Sequence, residues 1–213
     1  MTGPGPRTTL ARGNPRVADW TPLGDRAIRF ARPDRSARAI VRAVRAWPGV
    51  IDVVVARQEV AAYFDGPPRG ASAWAAWIDA LATAPDDPEP VRDLALGAIY
   101  NGPDLDHVAQ ATGRHADEVR ALHAAATYTV ETMGFSPGFA YLSGLPAALE
   151  LPRRTTPRTR VPAGSIAIAG AHTAVYPFDS PGGWHLIGSV VGVRMFGPDG
   201  PLLRLGDRVR FVP

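Results

Sequence analysis

From Phe135 onward a glycine or a proline interrupts the chain every few residues, and the apolar stretches left between them are short: Ser165–Ala169, Thr173–Tyr176, Trp184–Ile187 and Val190–Phe196. Such runs are too brief for core helices and carry no helical period. Bounded by turn formers, they can bury their side chains only as strands, and many short strands of this kind predict a closed or nearly closed β-barrel. Leu202–Val212, with Gly206-Asp207 inside it, predicts a final pair of strands around a turn.

The first half has a different texture. Met1 to about Arg16 is rich in Gly, Pro, Thr and Arg without periodicity, and residues 1–17 read as a disordered tail. Ala27–Phe30 predicts a strand, and Ser36–Trp47 a helix whose apolar residues Ala37, Ile40, Val41, Val44 and Trp47 fall at three- and four-residue steps. Val50–Ala56 and Val60–Phe64 predict a hairpin, Ala71–Ala84 a second helix with Trp74, Trp77, Ile78 and Leu81 on one face, and Val91–Tyr100 a fourth strand. Strand, helix, strand, strand, helix, strand is the order of a ferredoxin-like unit. The fold class is therefore α+β, with a ferredoxin-like α+β domain over 18–100 and a β-barrel domain with leading helices over 101–213. Those leading helices, Leu105–Thr112 and Ala116–Ala126 around Gly113, resemble a helix-turn-helix. The second carries Asp117, Glu118, Arg120 and His123 and lacks the basic face that phosphate neutralisation needs, so no nucleic-acid partner is expected.

Composition removes whole classes of chemistry. The chain has no cysteine, which excludes thiolate metal sites and cysteine nucleophiles and suits a reducing, cytoplasmic setting. Lysine is absent as well, so a Walker A loop or Schiff-base chemistry cannot be built from this chain. No window has the length and apolarity of a membrane span, and the five histidines stand apart without metal-ligand spacing, so no metal site is expected.

The segments Tyr100–Leu105 (Tyr-Asn-Gly-Pro-Asp-Leu), Gly134–Leu142 (Gly-Phe-Ser-Pro-Gly-Phe-Ala-Tyr-Leu), Pro152–Arg158, Val161–Gly170 and Ser180–Trp184 follow one another in an order that closely resembles the KipI family, the B subunits of 5-oxoprolinase, also called allophanate hydrolase subunit 1. The resemblance extends from Leu23-Gly-Asp25 through Pro48-Gly-Val50 to Gly206-Asp207. It implies a ferredoxin-like domain followed by a cyclophilin-like barrel. It also implies ATP, with Mg2+, as a cofactor shared with a C-type (KipA-like) partner subunit, a further LamB/YcsF-type subunit, and ring opening of the lactam 5-oxo-L-proline to L-glutamate. The family name KipI carries an alternative, inhibition of a sensor histidine kinase. One departure is Ala124 after His123, where the pattern has serine.

Lactam activation by ATP needs a carboxylate clamp, donors for phosphoryl oxygens and stabilisation of charge on the amide oxygen. Arg153, Arg154 and Arg158, on one proline-punctuated segment, offer guanidinium forks for the first two, although a solvated basic loop or a subunit contact would use the same residues. Phe135, Ser136 and Pro137, and Ser180, Gly182 and Gly183, form turns whose backbone N–H groups can approach a ligand; as corners of a barrel they need no ligand at all. Trp184 and His185 can wall a pocket, with Ser165 and Tyr176 as further lining. His123 is an acid–base candidate titrating near neutrality.

Overall fold

The computed structural model describes residues 20–67, 71–83 and 90–213. The expected tail over 1–17 lies outside the described residues. The chain divides into two compact units, the elements up to Thr83 forming most of one and those from Asp93 onward the other.

In the first unit β1 (Trp20–Pro22), β2 (Ala27–Ala31), β3 (Val50–Val55) and β4 (Glu59–Phe64) make a sheet of order β1-β2-β4-β3, accompanied by α1 (Ala37–Arg45) and α2 (Ala71–Thr83). The apolar steps of the sequence do become the buried faces: Ile40, Val44, Ile78, Leu81 and Trp74 are enclosed. Aromatic rings join them, Trp20 edge-on to Trp74 at 4.5 Å, Phe30 tilted on Trp47 and Trp47 on Trp77 at 5.6 Å.

The strand expected over Val91–Tyr100 does not complete this sheet. The edge beside β2 is taken by β1, in antiparallel register from Trp20–Phe30 to Pro22–Ile28. The expected strand, β5 (Asp93–Ile99), belongs instead to the second unit, where it has a neighbour on each side and buries Leu96 and Ala98. A half-buried alternating strand specifies which face it buries, not which sheet receives it.

After β5 come α3 (Leu105–Ala111), α4 (Ala116–Ala125), β6 (Tyr128–Met133), β7 (Ala140–Ser143), β8 (Arg158–Val161), β9 (Ser165–Ala169), β10 (His172–Val175), β11 (Ser180–Gly182), β12 (His185–Val190), β13 (Phe196–Gly197), β14 (Gly200–Pro201) and β15 (Arg208–Val212). Seven of these strands close a barrel in the order β10-β7-β6-β15-β5-β12-β9. Closure rests on a parallel pair, β5 with β15, in register from Asp93–Arg208 to Gly97–Val212. Leu202–Asp207 does not form the first strand of a terminal pair, only Arg208–Val212 of that segment being a strand, and Val190–Phe196 is strand only at its two ends; both expectations are corrected by a chain that needs loops there to cross between barrel neighbours.

The fully buried β9 separates two apolar clusters through the period-two alternation of its side chains. Ile166 and Ile168 join Tyr128, Val130, Leu142, Ile187, Val209 and Phe211 and the helical residues Leu105, Val108 and Val119. Ala167 and Ala169 join Phe139, Tyr176, Trp184 and Leu186.

Candidate functional site

The segment between β5 and α3 includes Asn101-Gly-Pro-Asp104, and it rides on the start of β12: Gly102 N–H donates to Ile187 O at 3.2 Å and Asp104 N–H to Leu186 O at 3.0 Å. A Cβ on Gly102 would lie 2.3–2.5 Å from backbone atoms of Leu186, Ile187 and Gly188, so only glycine permits this approach. The result is a carboxylate at the N-terminal boundary of α3 that makes no side-chain cap to its helix. Asp104 is 3% exposed, and both of its oxygens point elsewhere.

Four donors meet them. Oδ1 accepts from Arg154 Nη1 at 2.8 Å and Arg158 Nη2 at 2.7 Å; Oδ2 accepts from Arg158 Nη1 at 2.8 Å and Leu186 N–H at 2.7 Å. Arg158 therefore grips the carboxylate bidentately, the strongest geometry available to this pair. Burial alone would raise the Asp104 carboxyl, but the Arg158 hydrogen bonds, the Leu186 N–H and the charges of Arg158 and Arg154 outweigh it, and the group is held below the usual carboxylate range. Arg158 enters from β8, opposite Gly182 of β11, and the Arg154 backbone N–H donates to Gly183 O at 2.8 Å. The proline-punctuated segment is thus stitched along β11.

Next to this cluster lies a cleft of about 430 Å³ lined by His107, Pro152, Arg153, Arg154, Thr155, Thr156 and His185. His185 is 4% exposed; its Nε2–H donates to Pro152 O at 2.9 Å, and its ring stacks on His107 at 5.3 Å. His185 Nδ1 and Arg154 Nε are buried without a hydrogen-bond partner.

A second group gathers in the aromatic cluster. Tyr176, Trp184 and Phe139 are enclosed, with Tyr176 and Trp184 each edge-on to Phe139 at 5.3 and 5.8 Å. Burial raises the Tyr176 hydroxyl against the pull of the Arg153 charge and the Trp184 N–H it accepts. Gly182 is required here: a Cβ would stand 2.2 Å from the Tyr176 hydroxyl. Phe135 is the single non-glycine residue with positive φ among the described residues, at 74°, and it is 63% exposed, edge-on to Phe139 at 5.3 Å. A bulky residue held in that region stores strain, and such residues cluster at active sites, ligand clamps and switch regions. Pro137 is exposed beside it, and the hydroxyls of Ser136 and Ser180 are buried without a partner.

Two sequence candidates stand apart. The Ser165 hydroxyl donates to Pro162 O at 2.7 Å and closes a strand end. His123 is fully enclosed: the Tyr100 hydroxyl donates to Nδ1 at 2.8 Å, and Nε2–H donates to Thr173 Oγ1 at 2.9 Å, which in turn donates to Ala167 O at 3.0 Å. That chain fixes the neutral tautomer, and burial lowers its pKa to about 3. The acid–base expectation for His123 is corrected on this ground: a proton exchanger needs access to the reacting group, and this ring has none. Asp104, by contrast, receives no role from sequence reasoning. Its signal is the requirement of Arg154 and Arg158 for a buried anion, and the only other acid so deeply enclosed among the described residues, Asp207, is held by Arg92.

The family model for the carboxyltransferase domain, subdomain C and D, matches residues 19–201. A 5-oxoprolinase B subunit from Bacillus subtilis (strain 168) is 35% identical over 217 residues, 89% of this chain and 90% of the relative. Its counterpart from Escherichia coli O157:H7 is 45% identical over 143 residues, 64% of this chain and 63% of that protein, so the match spans less than two thirds of that relative. The crystal structure of TTHA0988 superposes with a TM-score of 0.72 at 36% identity, over 88% of this chain and 39% of that one. With its closed barrel, its match to the domain model over most of its length and a Bacillus relative aligned almost end to end, the chain belongs to the family of 5-oxoprolinase B subunits.

Proposed function

We propose that this chain is the B subunit of an ATP-dependent 5-oxoprolinase, active only in assembly with a C-type subunit and a LamB/YcsF-type subunit in the cytoplasm. The observation that carries the reading is the convergence of Arg154 and Arg158 on buried Asp104 at the rim of a cleft rich in unspent donors. Ring opening of 5-oxo-L-proline requires the amide oxygen to be activated by the terminal phosphoryl group of ATP before water attacks the carbonyl carbon and the ring C–N bond breaks. That chemistry gathers negative charge on oxygen, and fixed guanidinium groups stabilise such charge without reorganising. In this reading Arg158 is a positioning residue, since both Nη groups are committed to Asp104, whereas Arg154 keeps donors to spare. Any Mg2+ arrives with the nucleotide, because no side chain lining the cleft is a carboxylate.

The test is glutamate release from 5-oxo-L-proline with ATP, by this chain alone, with the C-type subunit, and with both partners. Release is expected only from the complete mixture, falling by about a hundredfold or more with Arg154→Ala while the assembly still forms. A verified, folded assembly that is inert toward 5-oxo-L-proline overturns the reading and directs attention to binding of a sensor histidine kinase.

A further inference from the structure

Charge at the cleft does not balance. Asp104 brings one negative charge to face Arg154 and Arg158, which leaves one positive charge over. Arg153, exposed on the same wall, makes no salt bridge among the described residues. The remaining lining contains no acid; its polar groups are the hydroxyls of Thr155 and Thr156 and the stacked rings of His107 and His185. One buried donor here, Arg154 Nε–H, lacks a partner, and a buried donor without one is costly unless something else completes it; His185 Nδ1, also unpartnered, is an acceptor while Nε2–H donates to Pro152 O, and it offers an anion nothing.

We propose that this cleft is an oxyanion site in its own right, with Arg153 as the direct ligand, Thr155 and Thr156 as neutral donors, and Asp104 acting through Arg154 by fixing its orientation. A fork at Arg153 matches the spacing of two oxygens on one phosphorus or one carbon. The inference deepens the reading above and rests on it for its choice of ligands, since ATP offers a phosphoryl group and 5-oxo-L-proline a carboxylate of the same donor-seeking geometry.

The full chain, labelled on its histidine ring carbons, is titrated by NMR with inorganic phosphate, with 5-oxo-L-proline and with pyrrolidin-2-one, the same lactam without the carboxylate. Saturable shifts at His107 and His185 are expected with phosphate or 5-oxo-L-proline and not with pyrrolidin-2-one. Arg153→Gln, on an exposed side chain that leaves the fold intact by circular dichroism, is expected to weaken them roughly tenfold. Response to phosphate alone assigns a phosphoryl ligand, and response to 5-oxo-L-proline alone a carboxylate. Absence of saturable shifts with both anions, equal response to pyrrolidin-2-one, or an unchanged affinity in Arg153→Gln overturns the site. The two proposals fail separately: an active assembly whose cleft takes no anion removes the site alone, and an inert assembly whose cleft binds phosphate through Arg153 removes the reaction alone.

Discussion

His123 turns burial into a pH dependence. Unfolded, an imidazole takes its proton near 6.5, whereas inside the barrel it does so only at about 3. Between those values the unfolded chain binds more protons than the folded one, so stability falls as pH drops through the window. Between neutrality and about pH 5 the loss from this group is about 2 kcal/mol, and it should be visible in urea denaturation as an acid slope that flattens in His123→Gln. The same residue shows where sequence reasoning stops. A histidine's identity advertises titration near neutrality, but nothing local announces that Tyr100 and Thr173, one on each side in the fold, will hold both of its nitrogens. The arginines are legible because a cluster of three guanidinium groups needs counter-oxygens; that two of them find those oxygens within the chain, on Asp104, is not, since an acid before Leu105 reads as an ordinary helix cap.

At the scale of elements, Gly182 and Gly188 both make very tight approaches, as Gly102 does, and the two differ in what surrounds them. A Cβ at Gly182 meets the enclosed Tyr176 side chain, its hydroxyl at 2.2 Å and ring carbons at 2.8 and 3.0 Å, while one at Gly188 meets Ile99 O at 2.4 Å, a backbone atom of the neighbouring strand. Gly182→Ala is therefore expected to cost about 2 kcal/mol, partly recovered by Tyr176→Phe, and Gly188→Ala to cost more, with no side-chain change recovering it; thermal unfolding of the single and double variants measures the difference. Strands bounded by glycine and proline, such as β9, are legible nearly to the residue. Tyr128–Met133 and Ala140–Ser143 are not legible as strands, although they pair with each other from Thr129–Ser143 to Met133–Ala140. The motif around Phe135 invites a ligand-binding reading and hides the hairpin that carries it.

For the molecule as a whole, the boundary between units is where the sequence misleads most. Asp93–Ile99 looks like the closing strand of the unit before it, and pairing decides otherwise: β15 on one side, β12 on the other. A fragment over 90–213 is accordingly expected to fold and melt cooperatively, and one over 101–213, lacking β5, to remain open and bind a hydrophobic dye; a cooperative melt from the shorter fragment would refute the strand order. Composition foretells the class of each unit because periodicity is local, and it misses the exchange of one strand because register between distant segments is not.

The parallel pairing of β5 with β15, reinforced by Arg92 reaching across 115 residues to Asp207, also sets an order of events during synthesis. Strand β5 emerges from the ribosome long before either neighbour exists; β12 can cover one side once His185–Val190 are made, but the side that takes β15 stays open, and the apolar row of Leu96 and Ala98 incompletely enclosed, until Arg208–Val212 follow. The sheet of the first unit draws on no strand made after Phe64 and can settle while the barrel waits. Nascent chains stalled before Arg208 should thus be the ones that chaperones hold, and the last barrel strand made is the one that releases them.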